Sequence, residues 1–353
     1  LEPYNTVLNS MQRSETTLLV TVTSCPGYPK LIGSKAVYSG KALLAGVFEP
    51  EVAAAIDPFI GQVISGGRSS LFKTAVSQYG EITFFINLLL PRPRLIILGG
   101  GHVGGALCKL AALLDYQVIL IDDRPSFANE KCHPDAFQVI CDRFDIALDR
   151  LEASVSDYLV IVTRGHRYDR LCLEMSLNRD AAYIGMIGSH KRVKTLLQEL
   201  AAAGCCPERL ARVHTPIGLA IGAVTESEIA LSILAEITAV RRSSDKAETA
   251  QLAVLEELSA LEQSRQHAVL VTIVETFGST PRKPGSQMIV YPDGKTTGTI
   301  GGGCSEADAR REALLQINSD RPLFFRQHLT ADAAAEEGMA CGGIMEIFIE
   351  PLP

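Results

Sequence analysis

Two cysteines in this chain are flanked by residues too small to pack against them. Cys304 closes the run Gly301-Gly302-Gly303-Cys304, and Cys341 stands between Ala340 and Gly342-Gly343. Three glycines at a strand end let successive backbone N–H groups form an anion-binding concavity. A cysteine placed next, at the start of a helix, is expected to have a lowered pKa. A thiolate is both the nucleophile and the soft metal ligand of protein chemistry. The usual role of a lone cysteine is that of a small buried apolar residue, and flanking glycines do not help packing. Cys304, Cys341 and Glu306 are therefore the candidate catalytic residues, and the two thiols are candidate metal ligands. Gly301, Gly302, Gly303 and Gly342 are candidate cofactor-binding positions. Ser279-Thr280-Pro281-Arg282-Lys283 adds hydroxyls and positive charge to a nearby turn. Arg282 there suits a phosphate-bearing ligand, although an ordinary exposed turn would read the same way.

A second glycine run, Gly99-x-Gly101-x-x-Gly104, follows an apolar strand and opens a helix. Gly99 permits a tight turn, Gly101 lets a phosphate approach the backbone, and Gly104 lets the helix pack on the sheet. The helix N-terminus offers free N–H groups and a partial positive charge. Asp122 ends the next strand, where an acid would hold a ribose hydroxyl. Arg124 beside it leaves a 2′-phosphate open. His102 in the glycine loop either touches a phosphate or caps the helix. Arg164 and His166 follow a later strand, on the face where doubly wound sheets bind ligands, and a plain surface loop is the alternative. The loop His214-Thr215-Pro216-Ile217-Gly218 either reaches the same mouth or is a structural turn. No His–Asp or Tyr–Lys pair suited to hydride transfer is evident.

These loops need elements to hold them. Leu95–Leu98, Gln117–Ile121, Gln138–Cys141, Tyr158–Thr163 and Ala182–Ile187 are short β-rich runs, with helical stretches such as Val103–Leu114 and Arg192–Ala203 among them. That alternation predicts a parallel sheet with helices on both faces. The basic cluster Ser189–Lys194 reads as a solvated first helical turn. A helix over Thr225–Arg241 closes the block, and the polar stretch Arg242–Thr249 reads as a linker.

On either side of that block the chain repeats itself. Leu19-Val20-Thr21-Val22 matches Leu270-Val271-Thr272-Ile273, and Gly27 falls opposite Gly278. Ile32-Gly33-Ser34 lies near Pro284-Gly285-Ser286 after a one-residue gap, and Val37-Tyr38 echoes Val290-Tyr291. Glu51–Ile56 lies where a helix over Glu306–Ile317 is expected, and Ile82–Pro91 echoes Met345–Pro353. The expected fold is α/β, a central Rossmann-type doubly wound parallel sheet flanked by two copies of a small α/β domain. The expected domains are 1–92, a copy with Ala45-Gly46-Val47-Phe48-Glu49-Pro50 in place of the cysteine loop; 93–242, the nucleotide-binding block; and 247–353, the intact copy.

The bulk numbers agree with a folded, unspecialised surface. The chain has 353 residues, 47% of them hydrophobic, and a formal net charge of −7. Nothing here is a clustered positive face of the kind that nucleic acid or anionic membrane demands. No apolar run reaches the ~18–20 residues of a membrane span, and no leader with a cleavage site is visible. Nine scattered cysteines argue for a reducing, cytoplasmic setting rather than a disulfide framework. Their spacing gives no closed zinc pattern.

Several strings together resemble the XdhC/CoxI family, the xanthine dehydrogenase accessory factors. They are Gly278–Met288 (GSTPRKPGSQM), Gly298–Glu306 (GTIGGGCSE), Met339–Pro351 (MACGGIMEIFIEP), Leu98–Leu107 (LGGGHVGGAL), Asp122–Asn129 (DDRPSFAN), Thr163–Asp169 (TRGHRYD), Tyr183–Ser189 (YIGMIGS) and His214–Ala223 (HTPIGLAIGA). The resemblance covers residues 93–242 and about 265–353. It implies a chaperone more than a free-standing enzyme. Such a chaperone binds molybdenum cofactor, in molybdopterin or dinucleotide form, and protects it while a terminal oxo ligand is exchanged for sulfur. It then passes the cofactor to an apo molybdenum hydroxylase. The implied sulfur source is a cysteine desulfurase, and a homodimer is also implied. The resemblance puts cofactor handling on Cys304 and Cys341. Here the cysteine domain comes last, an order similar to the YqeB-type branch linked to selenium-dependent hydroxylases. Ala220 stands where relatives often carry Asp. The residues alone leave two other readings open: an NAD(P)-dependent oxidoreductase with a reactive cysteine, and a nucleotide-sensing scaffold.

Overall fold

The computed structural model describes residues 3–13, 15–243, 252–264, 266–319, 321–328 and 343–352, with His166, Arg167 and Ser243 described by their backbone alone. Two compact units form. One comprises Leu1–Pro91 and Asp245–Pro353, the other Arg92–Ser244.

The first unit opens with helix α1 (Pro3–Gln12) and strands β1 (Thr17–Ser24), β2 (Lys35–Ser39) and β3 (Ala42–Ala45). Helix α2 (Pro50–Gly66) follows, then β4 (Ser70–Val76) and β5 (Gly80–Leu89). Pro50 pre-sets the first helical turn, and Gly67, at φ 64°, stops the helix in the left-handed conformation. The β-branched run of β1 is buried from Thr17 to Thr23, as a central strand covered on both faces should be.

The second unit holds β6 (Arg94–Leu98), α3 (His102–Leu113), β7 (Gln117–Asp122), β8 (Gln138–Cys141), α4 (Phe144–Arg150), β9 (Asp157–Ile161), α5 (His166–Leu177), β10 (Tyr183–Met186), α6 (His190–Ala202), α7 (Pro207–Leu210), β11 (Val213–His214) and α8 (Glu226–Ser243). Its six strands lie in the order β11-β10-β9-β6-β7-β8, and every ladder is parallel. Numbered from the first strand, that is the Rossmann order, which reverses between β6 and β9. Leu107, Cys108, Ala111, Ile233 and Ile237 of α3 and α8 pack on one face. Phe144, Leu148, Leu173, Val193 and Leu200 of α4, α5 and α6 pack on the other. The sheet is doubly wound, as the alternating runs imply.

The chain then returns to the first unit with α9 (Leu252–Ser264), β12 (Ala268–Phe277), β13 (Gln287–Val290), β14 (Thr296–Gly298), α10 (Gly303–Gln316), β15 (Leu323–His328) and β16 (Ile344–Leu352). The two five-stranded sheets have the same layout: β3-β2-β1-β5-β4 and β14-β13-β12-β16-β15. They share local devices as well. The β1–β5 ladder slips between Val22 and Ser24, and the β12–β16 ladder between Ile273 and Glu275. Gly33 N–H donates to Val22 O at 2.8 Å, as Gly285 N–H does to Ile273 O at 2.8 Å. Both glycines need a positive φ, 89° and 99°.

The ladders correct one alignment made from sequence. Val37 pairs with Leu19, and Ile289 pairs with Leu270. The counterparts of Val37-Tyr38 are therefore Ile289-Val290, one residue before the echo at Val290-Tyr291. A one-residue slip moves a side chain to the other face of a sheet. Val37 and Ile289 in fact lie in one core with Tyr4, Leu19, Leu255, Leu258 and Leu270, contributed by both copies. Their neighbours Tyr38 and Val290 face the separate cores under α2 and α10.

Candidate functional site

In the C-terminal copy three loops meet. A Cβ on Gly301, at φ 132°, would lie 2.5 Å from Pro281 Cγ and 3.6 Å from Arg282 Cγ. A Cβ on Gly343 would lie 2.4 Å from Ser279 O, 2.8 Å from Phe277 O and 2.8 Å from Thr280 Cγ2. The turn after β12, the glycine run before α10 and the residue before β16 are thus in contact, and only glycine fits at those two places. Arg282 is brought against the glycine loop by the same contact. Cys341 and Gly342 lie outside the described residues.

Helix α10 begins at Gly303, three residues earlier than its apolar spacing indicates, with Gly302 as N-cap at φ 75°. Cys304 therefore occupies the second helical position, and it is exposed. That places a thiol in the first turn of the helix, at the end where backbone N–H groups have no partner within the helix. Glu306 turns back onto the loop. Its Oε2 accepts from Ile300 N–H at 3.0 Å and Gly302 N–H at 3.0 Å, and from the Thr299 hydroxyl. Thr299 Oγ1 in turn accepts from Gly301 N–H at 3.1 Å. Burial pushes the Glu306 carboxyl up, but the Thr299 hydroxyl and the loop N–H groups outweigh it and hold its pKa below the ordinary value. The anion held by this glycine loop is therefore the chain's own carboxylate. Sequence spacing gives no sign of that bond, nor of the part played by Thr299.

The N-terminal copy has the same frame without these groups. Buried Val52, Ile56 and Ile60 of α2 match buried Ser305, Ala309 and Ala313 of α10 in spacing. By that spacing Glu51 stands at the place of Cys304 and Ala53 at the place of Glu306. Glu51 instead accepts from Ser77 Oγ at 3.2 Å and Gln78 Nε2 at 2.9 Å.

In the Rossmann unit the three glycines do different things. Gly99 has φ 120°, and a Cβ there would lie 2.5 Å from Val162 O. A Cβ on Gly104 would meet Gly99 O at 1.9 Å, while one on Gly101 would meet nothing within 4 Å. A cavity of about 450 Å³ opens there, lined by Gly101, His102, Lys109, Phe127, His133 and Ser227 among others. Asp122 gives its carboxylate to other partners than a free mouth. Oδ2 accepts from Gly100 N–H at 2.8 Å and Arg124 Nη2 at 2.8 Å, and Oδ1 from Arg124 N–H at 3.0 Å and Nε at 2.8 Å. Burial pushes its carboxyl up, but the Arg124 guanidinium and the N–H groups of Gly100 and Arg124 prevail and lower its pKa. Arg164 is half exposed, 3.7 Å from Asp123 Oδ2. His166 is the first residue of α5. His214 stacks on Tyr183 at 4.6 Å, and the Tyr183 hydroxyl donates to Glu236 Oε2 at 2.5 Å. Gly218 N–H also donates to Glu236 Oε2 at 3.0 Å, so the loop His214–Gly218 is tied to the same tyrosine–glutamate pair, and none of its residues lines the glycine-loop cavity. In the basic cluster, Arg192 pairs with the buried Asp169. His133 and Lys109 lie outside every motif; a loop and a helix face bring them to the cavity.

Among the described residues no group of three or more His, Cys, Asp or Glu side chains gathers as a metal site. No described helix is long and apolar enough to cross a membrane.

The XdhC Rossmann domain matches residues 95–237, and the XdhC and CoxI family matches residues 261–328. This chain belongs to the XdhC/CoxI family. It is 32% identical over 165 residues to YqeB of Escherichia coli, a stretch of 46% of this chain and 30% of that protein. It is 33% identical over 158 residues to a probable xanthine dehydrogenase subunit from Bacillus subtilis, 45% of this chain and 46% of that one. It is 48% identical over 63 residues to the molybdenum cofactor insertion chaperone PaoD of E. coli, 18% of this chain and 20% of PaoD. The matches thus span less than half the length of each of these relatives. Among solved structures, a xanthine dehydrogenase from Bacillus halodurans is similar with a TM-score of 0.40 at 17% identity, over 69% of this chain and 96% of that one.

Proposed function

We propose that this chain is an accessory factor for molybdenum hydroxylases, which carries molybdenum cofactor as cargo, supports its sulfuration and inserts it into an apo-enzyme. The observation that carries this reading is the exposed Cys304 thiol in the first turn of α10, on a glycine loop packed against Pro281 and Arg282. The donor set fits such a cargo. A thiolate suits molybdenum or its sulfur, and a guanidinium suits a pterin phosphate. With Ile300 and Gly302 N–H given to Glu306, Arg282 and the Ser279-Thr280 turn are the phosphate partners. Cys304 and Cys341 act on the cargo, and Glu306 shapes the loop. The name of PaoD supports the insertion role for that relative. A cysteine desulfurase supplies the sulfur, and the protein works in the cytoplasm as a homodimer.

The Rossmann unit is a supporting nucleotide site. Gly101, His102 and the start of α3 take the phosphates of NAD(P) or another nucleotide, because the backbone is open there. Arg164 and His166 stand on the ligand face. Residues 1–92 form a copy of the cysteine domain that lost its thiol.

The test is to purify wild type, Cys304→Ala and Cys341→Ala with molybdenum cofactor. Both variants are expected to retain less cofactor and to activate an apo-hydroxylase less. If neither loses retention or activation, the reading fails.

A further inference from the structure

Glu306 is the one acidic side chain in the first turn of α10, and its position two residues past Cys304 suggests proton transfer. The geometry points elsewhere. One oxygen of its carboxylate gathers Ile300 N–H, Gly302 N–H and the Thr299 hydroxyl. Charge-assisted bonds of this kind are among the strong ones. The bond to Gly302 N–H closes the N-cap much as a capping box does. Gly301, Gly302 and Gly303, all at positive φ, are poor at holding any one conformation by themselves, since glycine loses the most backbone freedom on ordering. Something must order them, and the carboxylate does.

The chain supplies its own control. The N-terminal copy keeps the strand order, the bulge and the positive-φ glycine at residue 33. At the corresponding places it has Glu51 in place of the thiol and Ala53 in place of the carboxylate, with Phe48-Glu49-Pro50 leading into the helix instead of glycines. Thiol, glycines and carboxylate are present together in one copy and absent together from the other. Fold stability therefore does not require the carboxylate at this place, whereas the thiol-bearing loop has it.

We propose that Glu306 is a positioning residue for Cys304, holding the glycine loop by occupying its anion cradle, a place that a small free carboxylate takes over when the side chain is cut away. The inference rests on Cys304 being the working thiol, but its test needs no cofactor. In the full-length protein, iodoacetamide modification of Cys304 is timed at fixed pH by mass spectrometry of the peptide that carries it. Glu306→Ala is expected to slow modification about tenfold, in line with the loss of charged hydrogen bonds that hold the first turn. Added formate should restore the rate in Glu306→Ala. Glu306→Gln keeps an acceptor oxygen, so it should stay near the wild-type rate and ignore formate. A general loss of structure would not respond to formate in this pattern. Should Glu306→Ala fail to fold, Thr299→Val removes one arm of the cradle and is expected to give a smaller slowing. An unchanged rate in Glu306→Ala, a slowed rate that formate leaves alone, or an unchanged rate in Thr299→Val overturns the inference. Loss of cofactor retention in Cys304→Ala is a separate measurement, so the maturation reading and this one can fail independently.

Discussion

The glycines of the Rossmann loop allow a paired prediction, one change that harms folding and another that harms only binding. Gly104→Ala places a Cβ 1.9 Å from Gly99 O, where ordinary contact begins at 3.4 Å. The atoms must part by about 1.5 Å, the difference of those distances, against normal core overpacking of only a methylene. The obstacle is backbone, and it is itself fixed: Gly99 N–H donates to Ile121 O at 2.8 Å, and Gly99 holds φ 120°. Overpacking of this kind costs about 3 kcal/mol, the top of the usual range. Alanine in a helix returns at most about 1 kcal/mol over glycine. The net loss of about 2 kcal/mol should lower the melting temperature of the unit by roughly 4–8 °C. Gly101→Ala is the opposite case. Gly101 has φ −70°, and its Cβ would meet nothing within 4 Å, so stability should move by no more than about 0.5 kcal/mol. The same methyl group stands where a phosphate would approach, so nucleotide affinity should fall at least about tenfold. Thermal unfolding by circular dichroism and titration with NAD(H) and NADP(H) measure the two effects. A Gly104→Ala protein as stable as wild type refutes the packing argument. A Gly101→Ala protein that binds nucleotide as well as a binding wild type refutes the approach argument.

Two further outcomes follow from buried polar groups. Asp122 has a lowered pKa in the folded unit, so its contribution to stability is present above its unfolded pKa of about 3.9 and is lost as pH falls through the lower folded value. Asp122→Asn should reduce stability at neutral pH and flatten the acid limb in urea titrations across pH 2–6, and an unchanged limb would count against it. Tyr183→Phe removes the hydroxyl donor to Glu236 Oε2, leaving that oxygen with Gly218 N–H at 3.0 Å and the other oxygen 3.6 Å from His214 Nδ1. It should cost about 1–3 kcal/mol, read as a lower urea midpoint with an unchanged slope.

What the sequence displayed and what it hid divide along physical lines. The glycine spacing at residues 99–104 is legible because Gly99 and Gly104 answer backbone demands that no other residue meets, while Gly101 leaves open space beside the backbone. The parallel sheet is legible because buried strands are apolar throughout. Strand β3 is not: it is a short edge whose Ala42, Leu43 and Leu44 are exposed, so it shows no alternation. The correspondence of Val37 with Ile289 is hidden because strands β2 and β13 both carry apolar residues on both faces, and composition cannot fix a register there. The early start of α10 was hidden too. A helix that opens on Gly303 has no propensity signal in its first turn, and the bonds that close it come from Glu306 folding back.

A loop that needs an internal carboxylate to hold its shape is not built for stability, and in the N-terminal copy the same helix start is made from Phe48, Glu49 and Pro50 at no such expense. The two copies share the layers, the bulge after Val22 and Ile273, and the glycine turn at Gly33 and Gly285. Where a scaffold is duplicated in one chain, common features are those the fold requires, and a feature kept in one copy at a conformational cost is one the fold does not require. Gly301 to Cys304, with Glu306 behind them, meet that description. The Rossmann glycines do not, since Gly99 and Gly104 are demanded by packing; only the open position at Gly101 is left for a ligand to use.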